Sequence, residues 1–157
     1  MTRSRLPDIR IEADELNSAQ PLGRYLVVLF RQFEDELVAE LHARGHRDLL
    51  VTDFNILRFI SPEGSSAQTL ARLAGVTKQA ISQQLAHLEK RGLCRREADP
   101  NDLRAKRIRF TAKGRRVIED AIRVTEKIEA RQAAVLGQTS FEKLKEQLGR
   151  LIEADLK

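Results

Sequence analysis

The chain has 157 residues, one domain's worth, of which 32% are charged and only 4% aromatic, with a formal net charge of +5. It is long enough to bury a substantial core, yet no run approaches the roughly 18 apolar residues of a membrane span and no signal-peptide pattern opens it. The single cysteine, Cys94, excludes an internal disulfide framework, so a reducing cytoplasm is the expected compartment.

Residues 1–20 mix charges with Pro7 and show little periodicity, which predicts an arm. Pro21 suits the first position of a helix. From there Leu22, Leu26, Leu29, Phe33, Leu37 and Leu41 keep a near-heptad stripe to about His42. Tyr25, Val28 and Phe30 widen it, as in a helix with one face for its own core and one for a partner subunit. Gly45 ends this helix. A second helix is expected from about Thr52, carrying Phe54, Ile56, Leu57 and Ile60 until Ser61-Pro62-Glu63-Gly64 stops it.

Ser65-Ser66-Ala67-Gln68 reads as a Ser-x-x-Gln capping box with Ser65 as N-cap. A short helix follows through Leu70, Ala71, Leu73 and Ala74, and Gly75 breaks it. Thr77 is a good N-cap for the next helix, whose stripe is Ile81, Leu85 and Leu88 and whose end is Gly92. Two helices joined by a short glycine-containing turn predict a helix-turn-helix. Leu93–Glu97 and Lys106–Phe110 read as paired strands around the turn formers Asp99-Pro100-Asn101-Asp102, and a hairpin after such a helix is a wing. Thr111 caps a long helix through Val117, Ala121, Ile128 and Leu136 to about Gly137. Thr139-Ser140-Phe141-Glu142 reads as a second capping box opening a last helix with Leu144, Leu148, Leu151, Ile152 and Leu156.

On the recognition helix the face opposite the apolar stripe carries Gln79, Gln83, Ala86 and Lys90, flanked by Ser82 and His87. Gln79 and Gln83 have the amide geometry to pair an adenine edge, and Ser82 can serve several bases. Thr77 and Lys78 at the helix start are better placed for phosphate. Charge supports this face. Between Lys78 and Arg116 stand twelve Lys/Arg against four Asp/Glu, whereas the rest of the chain holds sixteen against nineteen. A charge run is ordinarily a solvated face, but here it coincides with a recognition helix and wing.

The stretch from Thr77 to Thr111 resembles the winged helix-turn-helix of the MarR family of bacterial transcription regulators. Its most specific part is Asp99-Pro100-Asn101-Asp102-Leu103-Arg104, similar to the family's Asp-x-Arg wing with Asp102 and Arg104 in those places. It runs into Phe110-Thr111-Ala112-Lys113-Gly114, like the family's Leu-Thr-x-x-Gly. The resemblance implies one MarR-like domain over residues 1–157, mainly α with a small β-wing. Residues 21–44 and 111–157 would then be dimerisation helices around a DNA-binding region at 50–110. It further implies a homodimer on a pseudo-palindromic operator, in the cytoplasm and nucleoid of a bacterium or archaeon. Arg104 would reach into a narrow minor groove, held in position by Asp102. A small-molecule effector, aromatic or phenolic, would meet His46, Arg47, Phe54 and Arg58 near the junction of the first two helices.

Other residues invite competing readings. Cys94 lies beside Arg95 and Arg96, which would lower a thiol pKa, but a half-buried packing role is the simpler expectation. His42 and His46 have metal spacing on a helix, but Gly45 lies between them and further ligands are too few, so neither a metal nor a cofactor is expected. No nucleophile–base pair or phosphate loop suggests an enzyme. The rival readings are a constitutive DNA-binding regulator without an effector, and a helical protein-interaction dimer in which the basic segment is incidental.

Overall fold

The structure, a computed structural model, describes residues 21–99 and 102–154, with the backbone alone for residues 102–104. It is mainly helical with one small sheet. The chain divides between Phe33 and Glu34 into two compact units.

Helix α1 runs Leu22–Ala43. In the first unit its apolar residues Leu22, Leu26, Val27, Leu29 and Phe30 are exposed. In the second unit the same stripe turns inward, and Leu37, Val38 and Leu41 are buried. The arm expected at residues 1–20 lies outside the described residues.

The expected second helix is much shorter than its apolar run. A 3₁₀ turn at Val51–Asp53 leads into helix α2, Phe54–Leu57. The chain then continues in turns, with Phe59 N–H bonded to the Ile56 carbonyl and Ile60 N–H to that of Leu57. Phe54, Ile56, Leu57 and Ile60 are nonetheless all buried. Burial fixes which side chains go inside, and turns satisfy it as well as a longer helix does.

The first capping box is displaced by one residue. Ser65–Ser66 form strand β1, pairing with Ile108 and Arg107. The next helix, α3, therefore begins at Ala67 and runs to Ala74, with Ser66 as N-cap accepting Thr69 N–H at 3.0 Å. Ser65 is buried instead, its hydroxyl accepting Ser61 N–H at 3.0 Å. Gly75 closes α3 in the left-handed region at φ 65°, ψ 31°.

Helix α4 spans Lys78–Lys90, and strands β2 (Cys94–Asp99) and β3 (Asp102–Phe110) follow. Both strands extend further toward the turn than the sequence suggested, because cross-strand pairing carries the polar residues along. The sheet is antiparallel in the order β1-β3-β2, so β3 is its central strand. Helices α5 (Ala112–Leu136) and α6 (Gln138–Ala154) are separated by Gly137 alone, at φ 82°. The second capping box also fails: α6 has begun by Gln138, Phe141 N–H bonds to the Gly137 carbonyl, and Gln138 Nε2 donates to Glu142.

The core of the second unit joins Leu41, Leu49, Ile56, Leu57, Leu70, Ile81, Leu85, Leu88, Leu93, Ile108, Val117 and Ile128, all nearly inaccessible. The second half of α1 is laced to α5 by Lys127 on Glu40 at 3.1 Å and by a two-pronged Arg131 fork on Glu36 at 2.7 and 2.5 Å. That fork holds the Glu36 carboxyl below its ordinary pKa. No described helix is long and apolar enough to cross a membrane.

Candidate nucleic-acid interface

Helix α4 starts cleanly because Thr77 is extended and its hydroxyl accepts Ala80 N–H at 3.1 Å. Ile81, Leu85 and Leu88 are buried, which anchors α4 and fixes its rotation. The opposite face is the one expected: Lys78, Gln79, Ser82, Gln83, Ala86, His87 and Lys90 are all exposed. Of these, Ser82 and His87 carry prior engagements, as does Thr77 at the helix start, and His87 Nε2 lies 3.4 Å from Arg91 Nη1. The Ser82 hydroxyl donates back to the Lys78 carbonyl at 2.9 Å, and the Thr77 hydroxyl oxygen serves as a cap. Gln79 and Gln83 make no such bond among the described residues.

The wing stands on a charged ladder. Glu97 on β2 bridges Arg95 at 2.5 Å and Arg109 of β3 at 3.3 Å. Arg107 of β3 donates to Asp99 at 2.5 Å and to the Gly64 carbonyl at 3.4 Å, fastening the hairpin to the loop before β1. Asp102 and Arg104 lie at the turn end of β3, and their side chains fall outside the described residues. Behind the wing, Arg96 pairs with Glu89 of α4 at 2.5 Å.

These pairs revise the charge argument. Of the twelve basic residues between Lys78 and Arg116, eleven have described side chains, and six of these are ion-paired within the protein: Arg91, Arg95, Arg96, Arg107, Arg109 and Lys113. Among the described residues Lys78, Lys90, Lys106, Arg115 and Arg116 enter no ion pair, so the free cations stand at the two ends of α4, on the wing and in the first turns of α5. Sequence could not reveal this, because most of the acidic partners lie outside the segment or across a strand.

Sequence reasoning also missed Asp53 and Arg91. The Asp53 carboxylate is 3% exposed, accepts Leu50 N–H at 2.7 Å and takes Arg91 Nη1 at 2.6 Å. Only the oddity of an acid amid Thr52-Asp53-Phe54-Asn55-Ile56-Leu57 hinted at it. Next to this pair a cavity of about 280 Å³ separates Thr52, Asn55 and Ile56 from Gln83, Gln84 and Leu88 of α4. Gln84 Oε1 is buried without a hydrogen-bond partner among the described residues.

The four residues assigned to an effector have separate surroundings. His46 Nε2–H donates to Asp120 at 2.8 Å, and Arg47 is exposed. Phe54 is 4% exposed in the core, and Arg58 reaches its carbonyl and, at 2.5 Å, Glu34. The hydrogen bond from Arg58 to the Phe54 carbonyl links two of the four. His42, the other half of the metal-like spacing, donates to the Leu49 carbonyl at 2.8 Å. Cys94 is buried, and burial, aided by Glu89, pushes its thiol up to about 11 against the opposing pull of Arg96.

A family model described as "MarR family" matches residues 47–105. The chain is 34% identical over 133 residues, 82% of its length, to the HTH-type transcriptional repressor Rv2887 of Mycobacterium tuberculosis H37Rv, covering 94% of that protein. It is 32% identical over 83 residues, 52% of its length, to the transcriptional regulator HosA of Escherichia coli O111:H-, and spans 62% of that relative. Among solved structures, a crystal structure of MarR superposes with TM-score 0.73 at 25% identity, over 90% of this chain and 95% of that one. The transcriptional repressor CouR bound to a 23-mer DNA duplex gives 0.65 at 25% identity, over 84% and 92%. CouR from Rhodococcus jostii RHA1 bound to p-coumaroyl-CoA gives 0.67, with the same identity and coverage.

Proposed function

The chain belongs to the MarR family of transcriptional regulators, and on that premise we propose that it represses transcription as a homodimer on a pseudo-palindromic operator, its affinity tuned by a small molecule. It is a non-enzymatic DNA-binding regulator. The observation that carries the finer reading is the exposed face of α4, where Gln79 and Gln83 stand between the unpaired Lys78 and Lys90. Two-fold pairing would present two such faces to two half-sites. The exposed apolar residues of α1 and of α6 support a partner subunit. CouR is seen with DNA and with p-coumaroyl-CoA, which supports an effector here too. The effector would meet His46, Arg47, Phe54 and Arg58, or the cavity behind α4. The protein would act in the cytoplasm, on the nucleoid.

The test starts by selecting bound duplexes from a random pool and titrating variants against the selected and a random sequence. Gln83→Ala weakens the selected duplex by about 1–3 kcal/mol and leaves random DNA nearly unaffected. Lys78→Ala weakens both and lowers the salt slope by about one unit. Arg104→Ala loses most on duplexes with A·T-rich flanks, where the minor groove is narrow. If Gln83→Ala and Lys78→Ala behave alike on both duplexes, the face is wrongly assigned. If wild type selects no sequence at all, the helical interaction-dimer reading takes over.

A further inference from the structure

We propose that Arg91 is a positioning residue for DNA reading, setting the tilt of α4 through an ionic clamp at its C-terminal end; this rests on α4 being the helix that reads bases. Three segments far apart in sequence meet at this residue. Arg91 Nη1 donates to Asp53 at 2.6 Å, and Nη2 donates to the Asp48 carbonyl and lies 3.8 Å from the Asp48 carboxylate. Lys113, in the first turn of α5, donates to Asp48 at 2.8 Å and to the Arg91 carbonyl at 3.1 Å. The end of α4, the approach to α2 and the start of α5 are therefore tied at one point.

Arg91 is placed to hold rather than to touch DNA. Its side chain is 14% exposed and its guanidinium is engaged with the protein. Asp53, at 3% exposed, is a buried charge whose loss of a partner is strongly unfavourable, so the pair admits few alternative geometries. The apolar stripe Ile81, Leu85 and Leu88 fixes the rotation of α4, while a cleft of about 280 Å³ lies between its polar edge at Gln83 and Gln84 and the Thr52–Ile56 segment, so the clamp at Arg91 is a directional tie between α4 and that segment. A 13-residue helix is about 20 Å long, so a tilt of about 5° at one end moves the other by about 1–2 Å. Hydrogen bonds to base edges do not survive displacements of that size.

The test compares full-length Arg91→Gln, Arg91→Lys, Asp53→Asn and Asp48→Asn with wild type. Each is titrated with a duplex that wild type selects and with random duplex, over a salt series, and its fold is followed by circular dichroism. Arg91→Gln and Asp53→Asn are expected to lose about tenfold or more on the selected duplex, while random-duplex affinity and salt slope hold. Arg91→Lys recovers part of the loss. Asp48→Asn, whose carboxylate is half exposed and whose change leaves Arg91 on Asp53, loses about two- to fivefold. If the first two variants unfold, Arg91→Lys and Asp48→Asn decide the question by the same ratio. Folded variants with the wild-type ratio of selected to random affinity overturn the proposal alone. So does equal loss on both duplexes with a shallower salt slope, which makes Arg91 a phosphate contact. A wild type that selects no sequence overturns the underlying reading, and this proposal with it.

Discussion

Asp120 on α5 gathers three nitrogen donors on two oxygens: His46 at 2.8 Å on one, Arg123 at 3.2 Å and Arg44 at 3.5 Å on the other. Its carboxyl is held below its ordinary value, chiefly by the His46 hydrogen bond, with His46, Arg44 and Arg123 charges adding to it against the cost of burial. A carboxyl with a depressed folded pKa contributes stability that is complete above its unfolded value and disappears as pH falls through the folded one. Asp120→Asn is therefore expected to lower stability by roughly 0.5–1 kcal/mol at neutral pH, as part-exposed pairs do. Its urea-unfolding curve should converge with that of wild type as pH falls well below the ordinary carboxylate range. A gap between the two proteins that persists unchanged at that pH would show that the pair contributes packing rather than charge. Pairings of this kind were not legible in the chain. His46 and Asp120 are 74 residues apart, and no periodicity marks them as partners. The histidine proposed as an effector contact therefore also holds a carboxylate that its sequence neighbourhood does not announce.

Helix rotation and strand pairing follow different rules, and the sequence exposes the first far better. The stripe Ile81, Leu85, Leu88 fixed which face of α4 would be buried, because a 3.6-residue period has one apolar side. Strand β1 had no such signature: two serines are a strand only because β3 offers them hydrogen bonds, and that displaced the α3 cap by a residue. The joint between wing and α5 shows how closely these elements fit. Thr111 Oγ1 donates to the Gly92 carbonyl at 2.5 Å and accepts Gly114 N–H at 3.0 Å. A Cβ on Gly114 would lie 1.9 Å from the Leu93 carbonyl oxygen, a backbone atom that cannot swing aside. Gly114→Ala is accordingly expected to destabilise by about 1–3 kcal/mol, the range for overpacking a close contact. Chemical denaturation with unchanged m-value measures it, and a neutral substitution would show that the start of α5 can move away from the wing.

At the scale of the molecule, α6 keeps Phe141 buried but exposes Leu144, Leu151 and Ile152, while the first unit exposes five large apolar residues of α1. Monomers seldom leave such faces open, and a second copy is the occupant proposed above. A chain ending at Glu142 retains the buried anchor and loses the exposed stripe. It is expected to sediment as a monomer, and a persistent dimer would assign the subunit contact elsewhere. The charge ladder under the wing bears on how such a protein would move among sites. With six of the eleven described local cations neutralised within the fold, few phosphates can be neutralised at once, and each one accounts for about 0.9 units of salt slope. On the proposed reading, dwell times on arbitrary sequence would be short. The protein would sample a chromosome by brief visits, and its residence at one address would be set by the few amides on α4 and by Arg104 of the wing.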